Sequence, residues 1–224
     1  MTARSRREFL ADVGRGMLVA SVGYGTAIDL GLSPAFADTG ADRLLFGKRE
    51  PLVSLMQETQ AQKLLPALVD QLRAGVDLGE LVKAAALANA RTFGGEDYVG
   101  FHTMMALAQA IYMARELPTE RQALPVFKVL YRNTNRIQEF GGPSSEVLHP
   151  VESDALPEGR VAGEVLQERV RSKDVQAAER TFAAIAKNSP EDAFNSVLYT
   201  VMDNTEVHRV VFPYRAWDMV GLIG

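Results

Sequence analysis

The amino-acid sequence predicts an all-α protein, a multi-helix bundle or helical-repeat array of about seven to nine helices. Apolar residues recur at spacings of three and four along most of the chain. Capping residues, prolines and glycines divide these periodic segments into helix-length pieces. No segment shows the sustained alternation of apolar and polar residues that is typical of strands.

The first helices are predicted from their end signals. Pro51 is placed for the first turn of a helix that Gly75 ends and that Pro66 kinks or splits. Asp77 caps a second helix through about Asn89, which is followed by two glycines.

The next two helices are longer. Residues 96–116 carry an almost continuous apolar face. A fourth helix starts near Pro118 and ends at Gly141, and Pro125 is expected to bend its first half. A polar cluster late in this helix is expected on an exposed face: Arg132, Asn133, Asn135 and Arg136.

The second half begins with a loop, residues 141–159, that is long enough to be functional or disordered. A polar helical stretch, 160–187, follows it. Ser189 is a strong cap for the next helix, and the last helix begins near Thr205 and is interrupted or bent near Pro213. The apolar ending without a polar tail leads us to expect that the chain is a fragment with a further C-terminal segment.

Composition excludes several classes of site. The chain has no cysteine, which rules out disulfides, Cys-ligated zinc, iron–sulfur clusters and thioether-attached haem. A net charge of −4 argues against nucleic-acid binding, and the sequence has no phosphate-binding glycine motif. Three histidines remain as candidates for chemistry: His102, His149 and His208.

The N-terminal segment resembles a twin-arginine (Tat) signal peptide. Residues 5–10, Ser-Arg-Arg-Glu-Phe-Leu, match the export motif, and Ala35-Phe36-Ala37 matches the cleavage pattern. The uncharged run 16–28 is too short to span a membrane, which takes about 20 residues. The resemblance implies export by the Tat translocase in the folded state, often with a bound cofactor. It also implies cleavage after Ala37 and a periplasmic domain over 38–224.

An internal repeat places two histidines at equivalent positions. Residues 101–105 align without gaps on 207–211, so that His102 matches His208. This alignment predicts a duplicated three-helix unit, 61–116 and 174–221. Chance similarity between two helical segments is the alternative.

The matched histidines predict a cofactor site. Neutral imidazoles bind metal or haem iron, and carboxylates fix their tautomers, so we expect His102, His208, Asp97 and Glu206 to form a metal site. Asp203, five residues before His208, is a further candidate acid. The two rings are expected to converge in a dry cleft with acids behind them. Packing histidines are the alternative.

The candidate catalytic residues are His149, in the long loop, with Tyr98 and Arg215. His149 is a candidate third ligand or general base, and Arg215 a candidate group for binding an anion. Five methionines are expected to pack in the core and not to bind a soft metal ion. They are Met104, Met105, Met113, Met202 and Met219.

The segments 101–108 and 207–216 resemble two histidine-bearing helices of the questin-oxidase-like family of helical oxygenases. This resemblance implies redox chemistry. The sequence therefore favours an exported helical protein that binds a metal ion or haem-like cofactor and serves an oxidative reaction on a small molecule. A non-catalytic helical-repeat scaffold for a partner and a cofactor-free hydrolase or lyase, with His149 or His208 as general base, are the alternatives.

Overall fold

The computed structural model describes residues 43–94 and 97–223, and within these ranges it contains nine α-helices, three short 3-10 helices and no strand. The all-α prediction is confirmed. The α-helices are α1 (Glu50–Glu58), α2 (Ala61–Arg73), α3 (Leu78–Phe93), α4 (Tyr98–Arg115), α5 (Ala123–Phe140), α6 (Ala162–Arg171), α7 (Val175–Asn188), α8 (Pro190–Asp203) and α9 (Val207–Ile223). The 3-10 helices are Gly47–Arg49, Thr119–Arg121 and Gly142–Ser145. The predicted signal peptide, 1–37, lies outside the described residues.

Side-chain caps fix several helix starts where the sequence predicts them. Asp77 accepts a hydrogen bond from the backbone N–H of Glu80 at 2.9 Å, and Ser189 accepts one from that of Asp192 at 3.0 Å. Gly94 ends α3 with φ 54°, a conformation that favours glycine. These boundaries are predictable because each depends on residues within one helical turn.

None of Pro66, Pro125 and Pro213 separates two helices. The first helix divides at Thr59 and Gln60, which are both extended, while Pro66 lies inside α2. Pro125 does not bend a helix, because α5 begins only at residue 123 and a proline in the first turn costs no intrahelical hydrogen bond. Pro213 lies inside α9, which continues to residue 223.

The polar stretch 160–187 is two helices, α6 and α7, where the sequence predicts one continuous helical stretch. Lys173 takes φ 60° between them, and its backbone N–H donates to the carbonyl of Val170 at 3.0 Å. No glycine or proline marks this break, but Asp174 caps α7 by accepting from the backbone N–H of Ala177 at 3.0 Å.

Two apolar cores hold the helices together. The larger core is formed by α1 to α5 and α9, and its largest contributions include Leu64, Leu81, Leu107, Leu130 and Phe212. A smaller core lies between α6, α7 and α8, around Leu166, Phe182 and Val197. Burying each such side chain contributes about 1.5–3 kcal/mol. Helix α9 follows the small core in sequence but packs on α3, α4 and α8, and so returns to the large core.

The long loop is attached to both cores. The backbone N–H groups of Val147 and Leu148 donate to the carbonyl of Arg91 at 3.0 and 3.2 Å. Farther along, Asp154 pairs with Arg180 of α7 at 3.1 Å. The loop therefore connects α3 to the small core.

A buried arginine joins this loop to the start of the described chain. The Arg91 side chain is 0% exposed and lies 2.7 Å from a carboxylate oxygen of Glu50 and 3.3 Å from one of Glu146. It also donates to Gln57 and to the carbonyl of Leu44. Two acids and two polar acceptors thus satisfy a charge that would be costly to bury alone.

No helix in residues 43–94 and 97–223 has the combination of length and hydrophobicity that crossing a bilayer requires. The duplicated unit, 61–116 and 174–221, stays a prediction. What the fold does provide is direct packing between α4 and α9, the helices that carry the two aligned histidines.

Candidate functional site

His102 and His208 lie side by side where the first turns of α4 and α9 meet. Their ring centres are 5.4 Å apart and their planes are inclined by 77°. Beneath them Phe101 and Phe212 stack with ring centres 4.7 Å apart, and the Phe101 ring also contacts His208 at 5.3 Å. We call His102 and His208 the histidine pair.

The backbone fixes the tautomer of His102. Its Nδ1 lies 2.7 Å from the carbonyl oxygen of Tyr98. A carbonyl oxygen can only accept, so Nδ1 carries the proton and Nε2 of the neutral ring keeps a lone pair.

A carboxylate fixes the tautomer of His208 in the same way. Nδ1 of His208 lies 2.7 Å from Oε1 of Glu206, whose other oxygen accepts from the backbone N–H groups of His208 and Arg209 at 2.9 and 3.3 Å. Burial raises the pKa of Glu206, but the hydrogen bonds from His208 and Arg209 outweigh it and the pKa lies below its ordinary value. The ionised carboxylate therefore accepts from Nδ1–H, and Nε2 of the neutral imidazole keeps the lone pair.

Tyr98 forms one wall of the site. Its ring centre lies 4.4 Å from that of His102 and 5.6 Å from that of His208, and the residue is 52% exposed. The sequence-derived candidate Tyr98 is therefore in contact with both members of the histidine pair.

The histidine pair is at the surface and not in the dry cleft that we expected. His102 is exposed and His208 is partly exposed. Both residues lie in the first turns of their helices, and the apolar packing begins one layer below, at Phe101 and Phe212. Solvent and ligands therefore have direct access to the rings.

Asp97 differs from its expected place behind His102. It caps α4 by accepting from the N–H of Gly100 at 2.6 Å, and it binds the Arg136 guanidinium at 2.5 and 2.9 Å. Burial raises the pKa of Asp97, but the hydrogen bonds from Arg136 and Gly100 outweigh it and leave the pKa below its ordinary value. The Asp97 carboxylate is therefore bound by Arg136 of α5 and by the backbone N–H of Gly100. Asp203 is likewise bound elsewhere, by Arg171 at 2.6 Å.

The other candidate residues do not join the site. His149 is exposed, with Nδ1 3.3 Å from the carbonyl of Val147. Arg215 pairs with Asp218 at 2.8 Å and lies over the Tyr214 ring. Within the described residues no hydrogen bond, ion pair or ring contact connects either side chain to the histidine pair.

The methionines divide between core and surface. Met104 and Met219 are buried in the large core and Met105 packs against it, as a core role requires. Met113 and Met202 are exposed.

Sequence reasoning missed a buried polar network that positions the start of α4. Nδ2 of Asn89 donates to the carbonyl of Gly100 at 2.8 Å and to Oδ1 of Asn133 at 2.6 Å, and Thr103 also donates to Asn133 at 2.8 Å. The expectation of an exposed face is wrong for Asn133, which is fully buried. Its amide bonds to two other helices, α3 and α4, which a polar residue in a single sequence does not reveal.

Gly100 also allows close packing under the site. A Cβ at this position would lie 2.4 Å from the ring of Phe93, which belongs to α3. The absence of a side chain lets α4 approach α3 closely, one helical turn or less from His102.

The separation of the two rings is compatible with one metal ion bound to both and is too short for a haem held between them. Metal–nitrogen distances of 2.0–2.1 Å and tetrahedral angles place the centres of two imidazole ligands about 5 Å apart, close to the observed 5.4 Å. A macrocycle would have to lie between rings that already touch. Within the described residues no group of three or more histidine, aspartate or glutamate side chains is arranged to hold a metal ion.

Comparison with protein-family models, with curated proteins and with solved structures found no match for this chain.

Proposed function

We propose that this chain is an exported helical protein that binds a transition-metal ion through the Nε2 atoms of His102 and His208. One observation carries the proposal: two imidazoles in contact each have Nδ1 held by a fixed acceptor, while Nε2 makes no hydrogen bond within the described residues. A histidine that binds a metal usually has this arrangement, with the other ring nitrogen donating to a carbonyl or carboxylate.

The ligand atoms and their surroundings indicate which kind of ion would bind. Imidazole nitrogen suits Zn²⁺, Cu²⁺ and Ni²⁺ better than Mg²⁺ or Ca²⁺, which prefer oxygen ligands. Glu206, hydrogen-bonded to His208, would raise the basicity of that ligand and supply a nearby negative charge. In this proposal Glu206 supports a ligand and Asp97 has no part in binding the metal.

The exposure of the pair leaves the remaining coordination positions of an ion bound to a single chain accessible to other ligands. A redox-active ion bound there would supply the oxidative chemistry that the resemblance to helical oxygenases implies. This chain's own residues hold the two ligand rings, with Tyr98 as a wall and Phe101 as a floor. Export through Tat and cleavage after Ala37 belong to the same proposal and rest on the N-terminal motif.

Calorimetric titration of the tag-free chain with Zn²⁺, Cu²⁺ and Ni²⁺ tests metal binding. We expect saturable binding that H102A and H208A each abolish, since one exposed imidazole is a weak site. H149A is the matched control, because His149 is exposed and lies outside the histidine pair. A wild-type chain that binds none of the three ions, or a loss as large in H149A, would overturn the proposal.

A further inference from the structure

The histidine pair supplies only half of a common coordination shell. Zn²⁺ in structural sites has four protein ligands, and the described residues offer no third histidine, aspartate or glutamate arranged to join the two rings. The remaining positions are open to water, to another molecule, to a residue outside the described ranges, or to a second copy of the chain.

We propose that a second copy of this chain completes the site, so that one ion is held by His102 and His208 of each of two chains. This inference rests on the proposed function and adds the partner. A twofold axis through the ion uses the same surface twice, which is the commonest symmetry of soluble dimers. It turns two imidazole ligands into the four that tetrahedral zinc requires.

The surroundings of the pair permit this approach. His102 is exposed at the end of its helix, so no part of the described chain covers it. Tyr98, which touches both rings, is 52% exposed, and Val207, next to His208, is 61% exposed. A second copy docked on the ion would cover these two apolar side chains, and their burial would add to the metal–ligand bonds.

Charge makes the association dependent on the ion. In the twofold arrangement the carboxylate of Glu206, which lies 2.7 Å from Nδ1 of His208, comes near the axis in both copies. Two like charges oppose docking of the metal-free chains. A divalent cation at the axis offsets both charges, so metal binding and dimer formation become a single event.

Sedimentation velocity during a titration with zinc sulfate tests the proposal. We expect the metal-free chain to be a monomer. Zinc should convert it to a dimer, with an end point of one ion for two chains, and EDTA should dissociate the dimer. H149A should dimerise as the wild type does, whereas H102A and H208A should stay monomeric. An end point of one ion per monomeric chain would overturn the dimer but leave the proposed function intact. Absence of binding would overturn both.

X-ray absorption at the zinc edge gives a second readout that does not depend on mass or on a variant. The proposal requires about four imidazole nitrogens around each ion. The proposal would be contradicted if each ion had only two imidazole ligands and water oxygen filled the remaining positions. It would also be contradicted if ligands from a different protein filled them.

Discussion

Phe101 stacks on Phe212 with ring centres 4.7 Å apart and planes inclined by 26°. Phe101 directly precedes His102, and Phe212 lies one helical turn after His208. The contact therefore sets the distance between the first turns of α4 and α9, and with it the distance between the two imidazoles. The large core and the candidate site share this layer of side chains.

Replacing Phe212 by leucine tests that coupling. We expect the free energy of unfolding of F212L to be about 1–2 kcal/mol lower than that of the wild type, because the buried leucine packs less well than phenylalanine. We also expect F212L to bind Zn²⁺ at least several-fold more weakly. F182L is the matched control, since Phe182 belongs to the small core. It should lose similar stability in urea unfolding and keep its zinc affinity. Equal affinity losses in the two variants would contradict the coupling.

Glu206 is expected to support the metal ligand without being one. E206Q removes the charge that accepts from Nδ1 of His208, and loss of such a partner costs about 10–100-fold in metal affinity. Binding should weaken by this factor in calorimetry and not disappear. E191Q changes an acid in the first turn of another helix, α8, and should leave affinity unchanged. Complete loss of binding in E206Q would instead identify Glu206 as a direct ligand.

Asp97 is expected to make the fold sensitive to acid. Its pKa in the folded chain lies below the unfolded value of about 3.9. The ionised carboxylate therefore stabilises the fold at pH values above about 4, and this contribution is lost as the pH falls through the folded-state pKa.

Urea unfolding of D97N between pH 3 and pH 7 measures this contribution. Asparagine keeps the capping hydrogen bond but not the charge facing Arg136, so D97N should be less stable at pH 7 by about 1 kcal/mol. The difference from wild type should shrink towards pH 3. D77N is the control. Within the described residues, the Asp77 side chain makes one hydrogen bond, which it accepts from the backbone N–H of Glu80 in α3. A constant difference across the pH range would refute the assignment.

Gly100 is expected to resist substitution although it lies in a helix. Exchanging a helical glycine for alanine normally adds about 0.5–1 kcal/mol of stability. In G100A the new methyl group would lie 2.4 Å from the Phe93 ring, and such overpacking costs about 1–3 kcal/mol. G221A, with no atom within 4 Å of the added Cβ, should gain stability. Urea unfolding midpoints should therefore move in opposite directions for the two variants.

Local signals made much of the helical framework predictable. Asp77 and Ser189 cap helices because a short polar side chain reaches a backbone N–H three residues on, a relation contained within one turn. The break at Lys173 has such a signal on one side only: Asp174 caps α7 by accepting from the backbone N–H of Ala177 at 3.0 Å, whereas Lys173 takes positive φ without a glycine or proline nearby. Its conformation is set by how α6 and α7 pack around the small core.

The candidate site was predictable in part, from an alignment of two distant segments and not from local signals. The aligned positions of His102 and His208 anticipated that the two rings would meet. Their surroundings were not predictable, because Arg136 is on a different helix and competes for Asp97. The carboxylate nearest in sequence therefore belongs to an ion pair, and a backbone carbonyl takes its place behind His102.

The route of α9 has a consequence for biosynthesis. Residues 212–219 of this helix fill the core that α1 to α5 begin, so the chain must leave the ribosome at least as far as residue 219 before that core can close. The α6–α8 unit contains its own apolar cluster and lies between the two parts of the larger core in sequence. Nascent chains should therefore expose an unfinished apolar surface on α3 and α4 until α9 arrives, and this interval is when they would need protection from aggregation.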